Sequence, residues 1–131
     1  MKTIFLIDDD ADDREIFQEA LSDIKISNAI DFQHAENGVD AFQKLESHKV
    51  NKPDVIFLDL NMPKMDGRQF LTEIKKLVQF KDIPVVIYST SSNKSDIDFT
   101  LRHQAETFMT KPHSISDLKR QLEHVLGGIF G

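Results

Sequence analysis

The chain reads as an α/β protein with a doubly wound parallel sheet, and three features of the sequence carry that reading. Short apolar runs without alternation recur along it: Ile4-Phe5-Leu6-Ile7, Val55-Ile56-Phe57-Leu58 and Val85-Val86-Ile87-Tyr88. Such runs suit strands buried on both faces, whereas strands of a half-exposed sheet alternate apolar and polar residues. Between the runs, apolar residues fall at three- and four-residue spacing, the period of a helix covering a sheet. The runs end on Asp8-Asp9-Asp10, Asp59 and Ser89-Thr90, at the carboxyl tips of strands, where open α/β sheets gather their ligands.

Taken in order, Ile4 to Ile7 is the first strand, and Ile16, Phe17, Ala20, Leu21 and Ile24 give the first helix its apolar face. Asp12 and Asp13 fall in that helix's first turn, where acids suit the dipole. A weaker strand from about Ile30 to Ala35 alternates Ile30, Phe32 and His34 with polar residues, as an edge strand does. Asn37-Gly38 opens a helix carrying Val39, Phe42 and Leu45; Phe70, Leu71, Ile74, Leu77 and Val78 make the third. Ile97 and Leu101 mark a poorly hydrophobic fourth helix, and Thr107 to Thr110 is a short strand delivering Lys111-Pro112. The fifth helix, with Ile115, Leu118, Leu122, Val125 and Leu126, is expected to stop at Gly127-Gly128.

At 131 residues the chain fits a single domain, with a core from about residue 3 to 126 and residues 127 to 131 as a tail. The absence of cysteine excludes disulfides, thiolate metal sites and cysteine nucleophiles. A net charge of −6, with no basic run longer than Lys75-Lys76, argues against nucleic acid and for protein partners. The first apolar stretch breaks at Asp8, too early for a signal peptide or a membrane span, so a cytoplasmic protein without membrane contact is expected. The five histidines, at 34, 48, 103, 113 and 124, lack metal-ligand spacing and read as surface residues.

Carboxylates gathered from two strand tips repel one another unless a cation or proton sits among them. Mg2+ is the natural partner, since it takes oxygen ligands and commonly one or two protein carboxylates beside a phosphate. Asp9 and Asp59 meet that count, with Asp8 acting through water. A carboxylate beside such an ion can also be a nucleophile that forms an acyl phosphate. Lys111 would neutralise phosphoryl charge and the Ser89 hydroxyl would donate to another oxygen.

In this order and spacing the residues resemble the receiver domain of two-component response regulators, of the stand-alone chemotaxis-regulator type. The marks are Asp8-Asp9, Asp59 within Leu58-Asp59-Leu60-Asn61-Met62-Pro63-Lys64-Met65-Asp66-Gly67, Ser89 after an apolar strand, and Lys111-Pro112, so the likeness runs from Ile4 to about Leu126. The resemblance implies a flavodoxin-like (βα)5 fold with sheet order 2-1-3-4-5. It implies that Asp59 accepts a phosphoryl group from a histidine kinase or phosphotransfer protein. Mg2+ would be held by Asp9, Asp59 and the backbone carbonyl of Asn61, with Asp8 orienting a metal-bound water. Ser89 and Phe108 would switch the surface formed by the fourth helix, fifth strand and fifth helix, for partner binding or phosphorelay. The family's members catalyse their own phosphorylation and dephosphorylation without being enzymes in the usual sense, as monomers or weak homodimers. A cis bond before Pro112 is also implied.

Three positions depart from the family's commonest pattern. Thr90 adds bulk after the switch residue, where alanine or glycine is frequent, and is expected to hinder water and slow dephosphorylation. Gln104 stands where glycine often closes the fourth helix, and Phe108 lacks the hydroxyl of the frequent tyrosine. Two rival readings remain. A phosphohydrolase of the haloacid-dehalogenase type would use Asp8 in Asp8-Asp9-Asp10 as its nucleophile, though the chain is short for that fold. A phosphate-independent interaction module would not need the intact set of Asp8, Asp9, Asp59, Ser89 and Lys111.

Overall fold

Lys2–Ile7 (β1), Ile30–Ala35 (β2), Val55–Leu58 (β3), Val85–Ser89 (β4) and Thr107–Thr110 (β5) lie side by side in one parallel sheet of order β2-β1-β3-β4-β5. This is the order expected. A computed structural model describes residues 1–26, 28–90 and 93–131. The helices are Ala11–Asp23 (α1), Gly38–Glu46 (α2), Gly67–Ile74 (α3), Lys94–Arg102 (α4) and Ile115–Phe130 (α5).

The central strands owe their place to side chains that fill both faces of the pleat. On one face Ile4, Leu6, Val55, Phe57, Val86 and Tyr88 meet Phe17, Ala20 and Leu21 of α1 and Leu118, Leu122 and Leu126 of α5. On the other, Phe5, Ile7, Ile56, Leu58, Val85 and Ile87 meet Ala41 and Leu45 of α2 and Phe70, Leu71 and Ile74 of α3. Each fully buried side chain of this kind contributes roughly 1.5–3 kcal/mol, so β1, β3 and β4 are held in place by both layers. β2 is half-buried along most of its length, as its alternation suggested.

Every helix starts with an Asx or serine cap whose side-chain oxygen accepts a backbone N–H one turn on: Asp10, Asn37, Asp66, Asn93 and Ser114. Such caps fix where a helix begins. Here they gather the helix starts around the carboxyl edge of the sheet, where the strands end.

Four expectations are corrected. α5 runs through Gly127-Gly128 to Phe130, and the supposed tail is helix because Ile129 and Phe130 rest on the α1–α5 face of the core. α3 stops at Ile74, and Leu77 and Val78 belong to the turns that follow, Val78 being 79% exposed. There the Lys75 ammonium donates to the carbonyls of Lys81 and Ile83 and fastens the turns in place of another helical turn. Ile16, Val39 and Leu101 are exposed rather than core-facing. No cis peptide occurs among the described residues, so the bond before Pro112 is trans, the isomer an X-Pro bond favours slightly without further constraint.

Candidate functional site

The register of the sheet brings the acids together. Ile7 pairs with Leu58, and the Asp59 N–H donates to the Ile7 carbonyl at 3.0 Å while the Asp8 N–H donates to the Ala35 carbonyl at 3.0 Å. Two strands of equal phase therefore end in aspartate at the same level. On the far side Ser89 pairs with Thr110, and the Lys111 N–H donates to the Ser89 carbonyl at 2.8 Å, which delivers the lysine to that edge.

The three consecutive aspartates divide their work. Asp10 is the α1 cap, its Oδ1 accepting from the N–H groups of Asp12 and Asp13. Asp9 is exposed at the rim, and Asp8 is 0% exposed. Asp8 Oδ1 accepts the Asp10 N–H at 3.0 Å, and the Arg14 guanidinium donates to the Asp8 carbonyl at 2.7 Å. Asp59 is 6% exposed, and its Oδ1 accepts the Asn61 N–H at 3.2 Å. One oxygen from each of Asp8, Asp9 and Asp59 can be chosen so that all three lie within 4.8 Å of one another.

The Lys111 ammonium enters this cluster from β5. Nζ lies 2.8 Å from Asp8 Oδ2 and 3.4 Å from Asp59 Oδ2, and the side chain is 9% exposed. It also lies 2.7 Å from Asp13 Oδ2, on the first turn of α1. Burial opposes the ammonium, but its contacts with Asp13 and Asp8 and the charge on Asp59 outweigh that and hold its pKa above the ordinary value. Burial raises Asp8 to about 6 despite the neighbouring lysine. Asp59 is raised as well, again chiefly by burial, with Lys111 working against the shift.

The donor set suits a hard divalent ion. It offers carboxylate oxygens without sulfur or imidazole, and it contains more negative charge than Lys111 alone can neutralise. Asp8 Oδ2 is buried and takes no hydrogen bond; the ammonium beside it is placed as an ion pair. That ammonium is a single positive charge shared among the acids around it, which leaves negative charge for a further cation to neutralise. The residues therefore fit Mg2+.

The loop after Asp59 is built tightly around that residue. Lys64 and Met65 adopt positive φ, 49° and 71°, and the Gly67 N–H donates to the Leu60 carbonyl at 2.9 Å. Asn61 is exposed, its N–H held by Asp59. Ser89 is buried at the tip of β4 and Thr90 is exposed after it. Phe108 is half-buried against the α2–α3 face of the core.

Two participants escaped the sequence reading. Asp13, which suits the helix dipole by its position alone, pairs with Lys111; its i, i+4 neighbour Phe17 is buried in the core, a signal that Asp13 shares the inward face. Asp12, by contrast, is exposed. Tyr88 was read as strand filling, but its ring centroid lies 5.2 Å from the Lys111 ammonium, within cation–π range. Of the histidines, His34, His48, His113 and His124 are exposed, while His103 is half-buried and stacks on Phe99 at 4.0 Å. No helix of the described residues is long and apolar enough to cross a membrane.

Known proteins share the sequence pattern and the fold. Response regulator Rcp1 of Synechocystis sp. is 32% identical over 126 residues, covering 95% of this chain and 86% of its own. Chemotaxis protein CheY1 of Helicobacter pylori is 30% identical over 124 residues, covering 95% of this chain and 96% of its own. Among solved structures, the phosphorylated cyanobacterial phytochrome response regulator RcpA superposes with a TM-score of 0.85 at 34% identity, covering 97% of this chain and 95% of that one. The Mn2+-bound form of Rcp1 superposes with a TM-score of 0.84 at 30% identity, covering 95% and 91%. The model of the response regulator receiver domain matches residues 4–123. With the acids, serine and lysine at the ends of a 2-1-3-4-5 sheet, the chain belongs to the response regulator receiver domain family of two-component signalling.

Proposed function

We propose that Asp59 is a phosphoacceptor that takes a phosphoryl group from a phosphohistidine on a histidine kinase or phosphotransfer protein. The observation that carries this reading is the convergence of Asp8, Asp9 and Lys111 on one nearly buried carboxylate at the end of β3. In the transfer an Asp59 oxygen attacks phosphorus, and the P–O bond forms as the P–N bond to the phosphohistidine, protonated on its other ring nitrogen, breaks and releases neutral histidine. Asp9, Asp59 and the Asn61 carbonyl would hold Mg2+, with Asp8 joined through water. The ion would neutralise charge on the phosphoryl oxygens. Lys111 offers its ammonium to the same oxygens, a use for a lysine in so enclosed a place.

The output of the switch is the surface of α4, β5 and α5. Ser89 turns its hydroxyl toward the phosphoryl group and Phe108 moves inward, changing that face for a protein target or for onward phosphorelay. Its half-buried position against the core, neither fully in nor fully out, supports Phe108 in this role. Manganese in the Rcp1 structure and phosphorylation of the RcpA structure, both at 30% identity or more, support the metal and the acceptor here.

The test is incubation with Mg2+ and acetyl phosphate. One hydroxylamine-labile phosphate per chain is expected, absent in Asp59→Asn. Phosphate on Asp8 instead would favour a phosphohydrolase, and no phosphate at all would remove the reading.

A further inference from the structure

Lys111 meets three carboxylates with one ammonium, and the three are not equivalent. Nζ lies 2.7 Å from Asp13, 2.8 Å from Asp8 and 3.4 Å from Asp59. An ammonium has three N–H donors; here it donates to Asp13 and Asp59 and faces Asp8 as an ion pair. Asp8 and Asp59 belong with Asp9 to the cluster able to hold a cation, and Asp13 does not. Its backbone is fixed all the same, because the Asp13 N–H donates to the Asp10 cap at 3.2 Å. The Tyr88 ring bounds the ammonium on another side.

Lysine carries its charge on a flexible four-carbon stem. Without Asp13, the carboxylates still facing the Lys111 ammonium are Asp8 and Asp59, both of them members of the cluster that would serve the cation, Asp59 directly and Asp8 through water. Lysine and cation would then compete for one set of oxygens.

We propose that Asp13 is a positioning residue that holds Lys111 toward α1. It thereby leaves Asp8 and Asp59 available to the cation and keeps one N–H of the lysine directed at Asp59. The inference rests on Asp59 being the phosphoacceptor. When Asp59 carries a phosphoryl group its bridging oxygen loses charge, and the N–H facing it passes to a phosphoryl oxygen while Asp13 retains its own hydrogen bond and Asp8 its ion pair. Loss of Asp13 therefore weakens cation binding and slows phosphoryl uptake together.

The test is a double-mutant cycle on Mg2+ affinity, read by calorimetry and by emission of Tyr88, the only tyrosine in a chain without tryptophan. Asp13→Ala is expected to raise the Mg2+ Kd roughly fivefold, and Asp13→Asn, which keeps an acceptor for the ammonium, to raise it less. In a Lys111→Met background Asp13→Ala should change the Kd less than about twofold, because there is no lysine to hold. Equal losses in Asp13→Ala and Asp13→Asn, or the same loss with and without Lys111, would reduce Asp13 to a distant charge and overturn the proposal. Acetyl phosphate uptake by the same variants separates the two levels. If the unsubstituted chain takes no phosphate, the phosphoacceptor reading fails while the cation cycle still decides the role of Asp13.

Discussion

A Cβ atom built on Gly67 would lie 2.2 Å from the backbone carbonyl oxygen of Asp59 and 2.7 Å from the Cα of Leu60. Both obstacles are main chain, so neither can rotate away. The start of α3 is therefore seated directly on the residue proposed to accept phosphate. Gly67→Ala is expected to cost about 1–3 kcal/mol through overpacking and to weaken Mg2+ binding by displacing Asp59. An unchanged melting temperature and Mg2+ Kd would show that the loop can give way.

The pH dependence of the ion-free protein follows from burial of the acids. Asp8 titrates at about 6 in the fold against 3.8 when unfolded, so between those values the native state holds a proton that the unfolded chain has released. The stability from this group is complete below about pH 4 and is lost as pH rises through about 6. Asp59 is shifted in the same direction. In chelator, melting temperature should fall between pH 4.5 and 7 more steeply in the unsubstituted protein than in Asp8→Asn. At pH 7 that variant should be more stable, by on the order of 1–3 kcal/mol. Parallel curves for the two proteins would disprove the assignment.

Arg68 on α3 and Asp96 on α4 tie two helix starts together beside the site. Arg68 Nη2 lies 2.5 Å from Asp96 Oδ1, and Asn93 Nδ2 donates to Asp96 Oδ2 at 3.0 Å. Asp96 is buried, so Arg68→Met removes an ion-pair partner from a buried carboxylate, at a cost of about 1–3 kcal/mol. A double-mutant cycle with Asp96→Asn in urea should return a coupling above about 1 kcal/mol. Additive losses would mean that the pair is incidental.

Gln104 keeps the left-handed turn that glycine usually makes, with φ 70°. The Gln104 N–H donates to the Leu101 carbonyl and the Ala105 N–H to the Thr100 carbonyl, the Schellman arrangement. Gln104→Gly is therefore expected to stabilise the protein by roughly 0.5–1 kcal/mol, the relief of Cβ strain less the entropy glycine adds to the unfolded chain. A lower melting temperature would count against a strained cap.

Thr90 is exposed at the tip of β4, next to the buried Ser89. If its side chain shields the acyl phosphate from water, Thr90→Ala will lose phosphate several times faster after the donor is removed. Identical half-lives would assign the lifetime to other residues.

Much of this was legible along the chain. Unbroken apolar runs such as Val55 to Leu58 have no stable place except between two layers, and that alone called for a parallel sheet with its strand tips together. Helix ends were harder, because Gly127-Gly128 carries a local stop signal that packing of Ile129 and Phe130 overrides. After Ile74 the reverse held: Leu77 and Val78 continue the helical period, yet the Lys75 ammonium fastens turns there.

The site divides in the same way. Asp8, Asp59 and Lys111 were readable because each follows its strand directly, and Ser89 because it ends one, so strand pairing carries them to one edge. Asp13 was not, because the first turn of a helix accepts acids for its dipole whether or not they have another partner. Only the packing of α1 against the sheet, through Phe17, turned that carboxylate toward the Lys111 ammonium. Local sequence determined which groups arrive at the carboxyl edge. Tertiary structure decided which of them share a charge, since that depends on distances between elements far apart in the chain.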